Sequence, residues 1–352
     1  MENPLWQDIQ SQGDNLRQVI DHLLGPERER LEAAAAFLRN DRPIAMVGLG
    51  SAAYLCMAPE VYLGQHGRPA AVAFASEAFY NLIPALRRSC VIFNSRSGET
   101  LEVVRLGQAL AEEGIPFLTI TNEPESSLAR SSNHILWTNS RKDDLVSINI
   151  VTSMMLSTLM LAAAALGELE ALIPDIQRLP EAMQMVIDQS IAQADAMANY
   201  IQGIRPLYLL FRSSLKGAAY NGRLVLEEVA RTPGIALEAG DFRQGPNEVI
   251  DDRFGAVVFV PQGRQGELNL SLCGDILRSN GRVMLVGNTS GWKAGGYIFP
   301  ILNVPDVLLP ILAVVPLQVL AYKLAERQGY TPGTVRYISK VILSEEGIPN
   351  KK

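Results

Sequence analysis

The sequence is short of the residues that staple small folds or hold metals. Three cysteines stand in 352 residues, Cys56, Cys90 and Cys273, an odd number without ligand-like spacing. That excludes a disulfide framework, and the three read as buried or free thiols of a reducing compartment. Histidine is as scarce: His22, His66 and His134 are all there is. No His/Asp/Cys cluster has metal-ligand spacing, so no metal and no cofactor is implied. Basic charge is limited, with 31 Lys and Arg against 37 Asp and Glu, a net charge of −6. No Lys/Arg-rich run occurs, which argues against nucleic acid as a partner. The start, MENPLWQDIQ, is acidic and polar, unlike a secretory signal. The most apolar run, Met154 to Gly167, carries Ser157 and Thr158. It is shorter than the ~18–20 apolar residues that span a bilayer. The run Leu308–Leu320 contains Pro310 and Pro316. Both are expected to be buried helices of a soluble, cytoplasmic protein with no membrane partner.

What is present is apolar mass. Hydrophobic residues make up 48% and charged residues 19%, enough to bury a core in one large or two ordinary domains. The chain also repeats itself. RPIAMVGLGS from Arg42 echoes RPLYLLFRSS from Arg205. AVAFASEAF echoes IALEAGDFR, SCVIFNSRSGE echoes GAVVFVPQGRQ, and PFLTITN echoes RVMLVGN, in the same order. Each element is a short apolar run ending in a turn, as buried strands do. Helical patterns lie between them. ETLEVVRLGQALAEEG places Leu101, Val104 and Ala111 along one face, with Gly114 and Pro116 as the stop. An apolar helix closes each half, Val151–Leu166 and Leu308–Ala325. Strands alternating with helices predict α/β domains built on parallel sheets. The expected order is a helical segment over 1–41, a first domain over 42–195, a second over 196–330 and a tail over 331–352.

One turn carries candidate chemistry. VIFNSRSGET leaves a buried strand and at once presents Ser95, Ser97 and Thr100 around Gly98. In an open parallel sheet, ligands sit at the carboxyl ends of the strands. Ser97 is expected to cap the following helix, whose first amides and dipole attract anions. Hydroxyls plus free amides make a phosphate site without lysine. Ser51, in GLGSAA after the first strand, would add a donor. Three other readings remain open on these residues. The turn is a plain helix cap; GLGSAA is a partial dinucleotide fingerprint, lacking a clear acidic residue beyond Glu77; or the site is a P-loop, lacking G-K-[ST].

Taken together, NSRSGETLEV after GLGSA, NEPESSLAR, LEEVARTPGIALEAGDFRQGP, PLQVLAYKLA and RYISK resemble the sugar isomerase (SIS) domain family. Two such domains in tandem resemble the isomerase half of glucosamine-6-phosphate synthase and the fructosamine and aminosugar 6-phosphate deglycases; the resemblance does not extend to the synthase's glutamine-hydrolysing domain, and a protein without one is expected. The resemblance implies two similar SIS domains, each a three-layer, flavodoxin-like parallel sheet. It implies sugar phosphate on Ser95, Arg96, Ser97 and Thr100, with Ser51 beside them. VPQGRQGE, the matching loop of the second repeat, has no hydroxyls and should not hold phosphate.

The resemblance also implies roles for chemistry. Glu228 falls at the catalytic base, while its neighbour Glu227, about 100° around the helix, reads as a surface charge. Lys340 in RYISK falls at the lysine that forms an imine with the open-chain sugar. Gln244 stands where the family has a histidine contributed by a neighbouring subunit; an amide hydrogen-bonds but does not shuttle protons near neutral pH. His22 and His66 read as solvated and His134 as a strand end, so none replaces it. RKDDLVSINIVTS replaces the family's Glu-x-x-x-Ala-Ser/Ala-Thr-Lys stretch. Val146, Ser147 and Asn149 are expected along the sugar pocket, and Ile150 stands at the lost lysine. Asp241 and Arg243, in GDFRQGP, read either as contacts to a polar substrate tail or, by slight preference, as plain surface charges.

The expectation is therefore an enzyme on a 6-phosphorylated amino sugar, foremost a deglycase that cleaves the C–N bond of a sugar–amino acid adduct 6-phosphate to hexose 6-phosphate and an amine. An aminating or deaminating isomerase without its own glutaminase is the second expectation, and a non-catalytic sugar-phosphate sensor the third. A homodimer or higher homo-oligomer with shared sites follows from the family habit.

Overall fold

A computed structural model describes residues 3–301, 303–339 and 341–346 of the chain. The chain divides into two compact units: Ser11–Pro180 with the segment from Val335 onward, and the residues up to Gln10 with Glu181–Thr334. They are called the first and second unit below.

In the first unit, five strands form one parallel sheet: β1 (Ile44–Gly48), β2 (Ala70–Phe74), β3 (Cys90–Asn94), β4 (Phe117–Thr121) and β5 (His134–Trp137). Their spatial order is β2-β1-β3-β4-β5. The second unit repeats this with β6 (Leu207–Phe211), β7 (Gly234–Glu238), β8 (Gly255–Val260), β9 (Arg282–Gly287) and β10 (Tyr297–Pro300), ordered β10-β9-β8-β6-β7. Counted from the start of each unit, both sheets read 2-1-3-4-5. The expected α/β class and tandem repeat are therefore present, with helices flanking each sheet.

Composition explains which strands are central. CVIFN of β3, FLTIT of β4 and GAVVFV of β8 are buried at every residue, because helices cover both faces. The edge strand β2, AAVAF, is partly exposed along its length. Beneath β3 and β4, Phe93 and Phe117 meet edge to face at 5.1 Å, with Leu106, Leu110 and Leu128 packed around them.

Four elements differ from what the sequence suggests. The apolar helix of the first unit spans Asn149–Leu166, 18 residues, which reaches membrane-spanning length. It is buried from Asn149 to Ala164 among the Gln12–Leu24, Arg28–Leu38 and Met57–Gln65 helices. Its polar residues are satisfied inside the core: Asn15 Nδ2 donates to Ser153 Oγ at 2.6 Å and Thr158 Oγ1 to Asn94 Oδ1 at 2.9 Å. The apolar run of the second unit forms Leu309–Ala313 and Val315–Arg327, packed on the Lys216–Val229 helix. His134 begins β5 rather than ending a strand, and β10 is a short fifth strand that the repeat did not disclose.

Candidate functional site

In a 2-1-3-4-5 sheet the strand order reverses between the first and third strands, which opens a crevice at their carboxyl ends. In the first unit that point lies between β1 and β3, so the loops after Gly48 and Asn94 flank it. Gly48 is needed there: a Cβ would fall 2.6 Å from the backbone of Ala52, in the short Ser51–Tyr54 helix. Ser51 opens that helix, half-buried.

The loop after β3 is rigidly built. Ser95 is buried, and its amide donates to Ile120 O at 3.1 Å, extending the ladder to β4. Ser95 Oγ accepts from the Gly98 amide at 3.1 Å and Ser97 Oγ from the Glu99 amide at 3.3 Å. A hydroxyl that accepts an amide still has its own hydrogen to donate. Both serines therefore keep an O–H for a ligand while their oxygens hold the turn. Gly98 takes φ +61 with its back to Ser126, a geometry that suits only glycine. The far side is tied down as well. Arg96 O accepts from Asn122 N and Thr121 Oγ1, both at 3.2 Å, and the Glu99 carboxylate accepts from Ser127 N at 2.7 Å.

Two expectations about this turn are corrected. Thr100, not Ser97, occupies the cap position of the Leu101–Glu112 helix, and its side chain makes no capping bond. Ser97 instead closes the tight turn ahead of it. The helix amides are also not all open, since Leu101 N donates to Ile342 O at 3.1 Å.

Beside the loop lies a cavity of about 250 Å³ lined by Arg96, Ser97, Asn122, Glu123, Lys142, Asp143, Ile150 and Val341. Arg96 donates to Ser147 Oγ at 3.4 Å, so these two expected residues are brought together. Val146 and Asn149 are buried. Asn149 is spent on the fold, donating to Asp143 Oδ1 at 3.0 Å and to Ser11 Oγ at 3.2 Å.

Asp143 is a residue that the sequence reading passed over. It is buried, and its carboxylate accepts from the amides of Ile148, Asn149 and Ile150 at 2.9–3.0 Å. Those are the unpaired donors that open the Asn149–Leu166 helix. Burial pushes the carboxyl pKa up, and the helix amides pull against that shift. Asp143 is thus the chain's own anion at this helix start. The signal was the acidic pair before the apolar helix, five residues too early for an ordinary cap.

The C-terminal segment also meets this unit. Val341 lines the cavity. Glu345 accepts from Tyr80 Oη at 2.6 Å and pairs with Arg105 at 3.3 Å. Lys340 lies outside the described residues.

The second unit carries the other expected residues. Glu228 is half-buried on the Lys216–Val229 helix. Its neighbour Glu227 is not a bare surface charge: it accepts from Gly234 N at 3.4 Å and lies 3.8 Å from Arg223. Gln244, Asp241 and Arg243 are exposed around the Ala239–Phe242 turn. At the start of the Gly263–Arg278 helix, the counterpart of the serine loop, Gln262 N donates to both Asp306 oxygens at 2.9 and 3.1 Å. Here too a carboxylate of the chain occupies the anion position.

His22 is corrected from solvated to buried: it faces Glu27 at 3.8 Å and stacks edge-on against Trp137. His66 is exposed, its Nδ1 2.9 Å from Tyr62 O. All three cysteines are buried and free, and burial pushes Cys56 upward and Cys273 to about 12. Among the described residues no group of His, Cys, Asp and Glu has the arrangement of a metal site.

Residues 37–166 match the SIS domain family model. The chain is 28% identical over 341 residues to the isomerizing glutamine–fructose-6-phosphate aminotransferase of Pyrococcus horikoshii, covering 93% of this chain and 56% of that protein. It is 26% identical over 315 residues to the enzyme of the same name from Thermus thermophilus, covering 86% and 52%. The chain thus spans about half the length of these relatives. Among solved structures, the C-terminal domain of glucosamine-fructose-6-phosphate aminotransferase from Francisella tularensis superposes with a TM-score of 0.82 at 18% identity, over 94% of this chain and 98% of that one. Glucosamine-6-phosphate deaminase from Thermotoga maritima gives 0.78 at 21% identity, over 97% and 99%.

Proposed function

We propose that this chain, which belongs to the SIS domain family, is an enzyme acting on a 6-phosphorylated amino sugar. The observation that carries the proposal is the Ser95–Thr100 loop at the sheet's switch point. Ser95 and Ser97 spend their oxygens on the turn and keep their O–H groups for an anion. Three phosphate oxygens suit a cluster of short donors backed by Arg96. The second unit offers no such site on this reading, because Asp306 already faces the Gln262 amide and would repel a phosphate.

The reaction we favour is deglycation of a sugar–amine adduct. For a ketosamine 6-phosphate, a base takes a proton from C1 to give the enaminol. A proton returned to C2 leaves a C1–N imine. Water adds at C1 and the C1–N bond breaks, releasing aldose 6-phosphate and amine. One water is consumed and no net oxidation occurs. Glu228 is the proposed proton carrier between C1 and C2. Lys340 is proposed to assist that C1–N imine, without itself bonding to the sugar. Gln244 hydrogen-bonds but cannot carry a proton, which favours a substrate that needs little help in opening its ring. The active form on this reading is a cytoplasmic homodimer or larger homo-oligomer.

A second reading, an isomerase that aminates fructose 6-phosphate or deaminates glucosamine 6-phosphate, is supported by the names of the curated relatives. One screen separates the two. Purified protein is offered fructosamine-type and 2-aminoaldose-type 6-phosphate adducts and glucosamine 6-phosphate, with hexose 6-phosphate, amine and ammonia detected. Adduct turnover abolished by Glu228→Gln is the expected result. Ammonia release from glucosamine 6-phosphate alone supports the second reading, and binding without turnover overturns both.

A further inference from the structure

A separate cavity, of about 320 Å³, opens in the second unit at the amino ends of the strands. Its wall includes Ile204 and Arg205, just ahead of β6, and Thr232, just ahead of β7. It therefore lies at the opposite end of the sheet from the carboxyl-end crevice. Ile201 and Ile204 are buried in an apolar lining that Leu324 completes. Arg205 and Arg327 are the charged residues of the wall, which holds no carboxylate. A few polar groups over a mostly apolar lining, at the lower end of the ~300–1,000 Å³ usual for ligand pockets, is the build of a small-molecule site.

The two arginines differ. Arg327 is committed, donating to Asn199 Oδ1 at 2.8 Å and pairing with Asp195 at 2.9 Å. Arg205 donates to Arg231 O at 2.9 Å, and among the described residues no carboxylate pairs with it. The repeat sharpens the contrast. Arg42, at the same place before β1, holds two backbone carbonyls, Arg87 O at 3.0 Å and Ser89 O at 2.6 Å. Arg205 holds one, and most of its five donors stay unspent beside the cavity.

We propose that this cavity binds a small organic acid. Its apolar body lies against Ile201, Ile204 and Leu324, and its carboxylate takes the open side of the Arg205 fork. A planar guanidinium matches a carboxylate with two parallel hydrogen bonds. The other classes fit less well. An amine would meet two arginines. A neutral apolar molecule would leave Arg205 unmatched. A sugar phosphate would press hydroxyls against the apolar lining without partners. The serine loop belongs to the first unit, and the inference does not rest on the reaction proposed above.

The test is calorimetry on the full chain with phenylacetate, its neutral amide phenylacetamide, and acetate. Phenylacetate is expected to bind about tenfold more tightly than the amide. Acetate, which has no apolar body, should bind more weakly than phenylacetate. Arg205→Met should erase the preference for the acid and leave the amide within about twofold, and Arg205→Lys should keep part of it. Arg205 is exposed, and melting curves verify that the variants fold. Saturating fructose 6-phosphate should leave phenylacetate binding unchanged. Equal affinity for acid and amide, acid binding untouched by Arg205→Met, or no binding of either aromatic ligand overturns the inference. Displacement of phenylacetate by fructose 6-phosphate overturns it too, by placing the acid at the serine loop. Phenyl phosphate bound more tightly than phenylacetate overturns the carboxylate assignment.

Discussion

Gly98→Ala should damage the first unit through two separable costs. The residue is buried at φ +61, and an added Cβ would overlap Ser126 Oγ and lie 2.5 Å from Ser126 Cβ. Holding alanine in the left-handed region costs roughly 1–2 kcal/mol. Ser126 Oγ can rotate away only by giving up its bond to Ala129 N at 3.4 Å, which caps the Ser127–Arg130 helix. That loss is worth about 0.5–2 kcal/mol. Ser126 Cβ cannot rotate away, so the backbone must shift, at about 1–3 kcal/mol. The expected total is about 2.5–7 kcal/mol, a large share of a typical domain's stability. Urea unfolding of Gly98→Ala, Ser126→Gly and the double variant measures it. Removing both Ser126 atoms should recover the overlap but not the left-handed cost, giving a coupling of at least about 1 kcal/mol. Hexose 6-phosphate affinity should fall at least about tenfold in Gly98→Ala, because the serine hydroxyls are displaced together. A single variant within about 0.5 kcal/mol of the parent, with unchanged affinity, would refute the assigned loop geometry.

Asp143→Ala strips the partner from three buried amides and should destabilise the first unit by roughly 2–4 kcal/mol, with Asp143→Asn costing less, as read by urea unfolding. Native protein should leave all three thiols unreacted with a disulfide reagent at pH 8, and unfolded protein should expose all of them. The raised thiols also set an alkaline limit. Cys273 holds its proton up to about 12 in the fold but releases it near its ordinary 9.0 when unfolded. Its contribution is whole below that lower value and is lost as pH climbs toward the upper one, so the melting temperature should fall across that window. Glu345→Ala cuts the tail's contacts with Tyr80 and Arg105. Sugar-phosphate affinity should drop by roughly twofold to fivefold, since exposed charge pairs are worth little more.

Much of this was legible because it is local and repeated. The all-apolar runs CVIFN and FLTIT announce strands buried on both faces, and their echoes GAVVFV and RVMLVG announce a second sheet. The serines around Gly98 announce a tight turn at a strand end, although the capping role fell to the wrong residue because Ser97 bonds Glu99 within the turn. What escaped depends on distant segments. Glu123 and Lys142 are separated by all of β5 and meet only once the sheet is assembled. Ile342 reaches Leu101 across most of the chain. His22 looked exposed in its polar helix until Glu27 and Trp137 closed over it. Asp143 serves amides that become neighbours only when the preceding loop folds back.

The central claim is that the Ser95–Thr100 loop holds the phosphate of a sugar 6-phosphate. Titration of fructose 6-phosphate, with fructose as the control, into the protein and its Ser95→Ala/Ser97→Ala variant tests it directly. The phosphorylated sugar should bind in roughly the micromolar to millimolar range, fructose should not, and the variant should lose at least about tenfold in affinity. Equal binding of both sugars, or phosphate-dependent binding untouched by the double substitution, would contradict the claim.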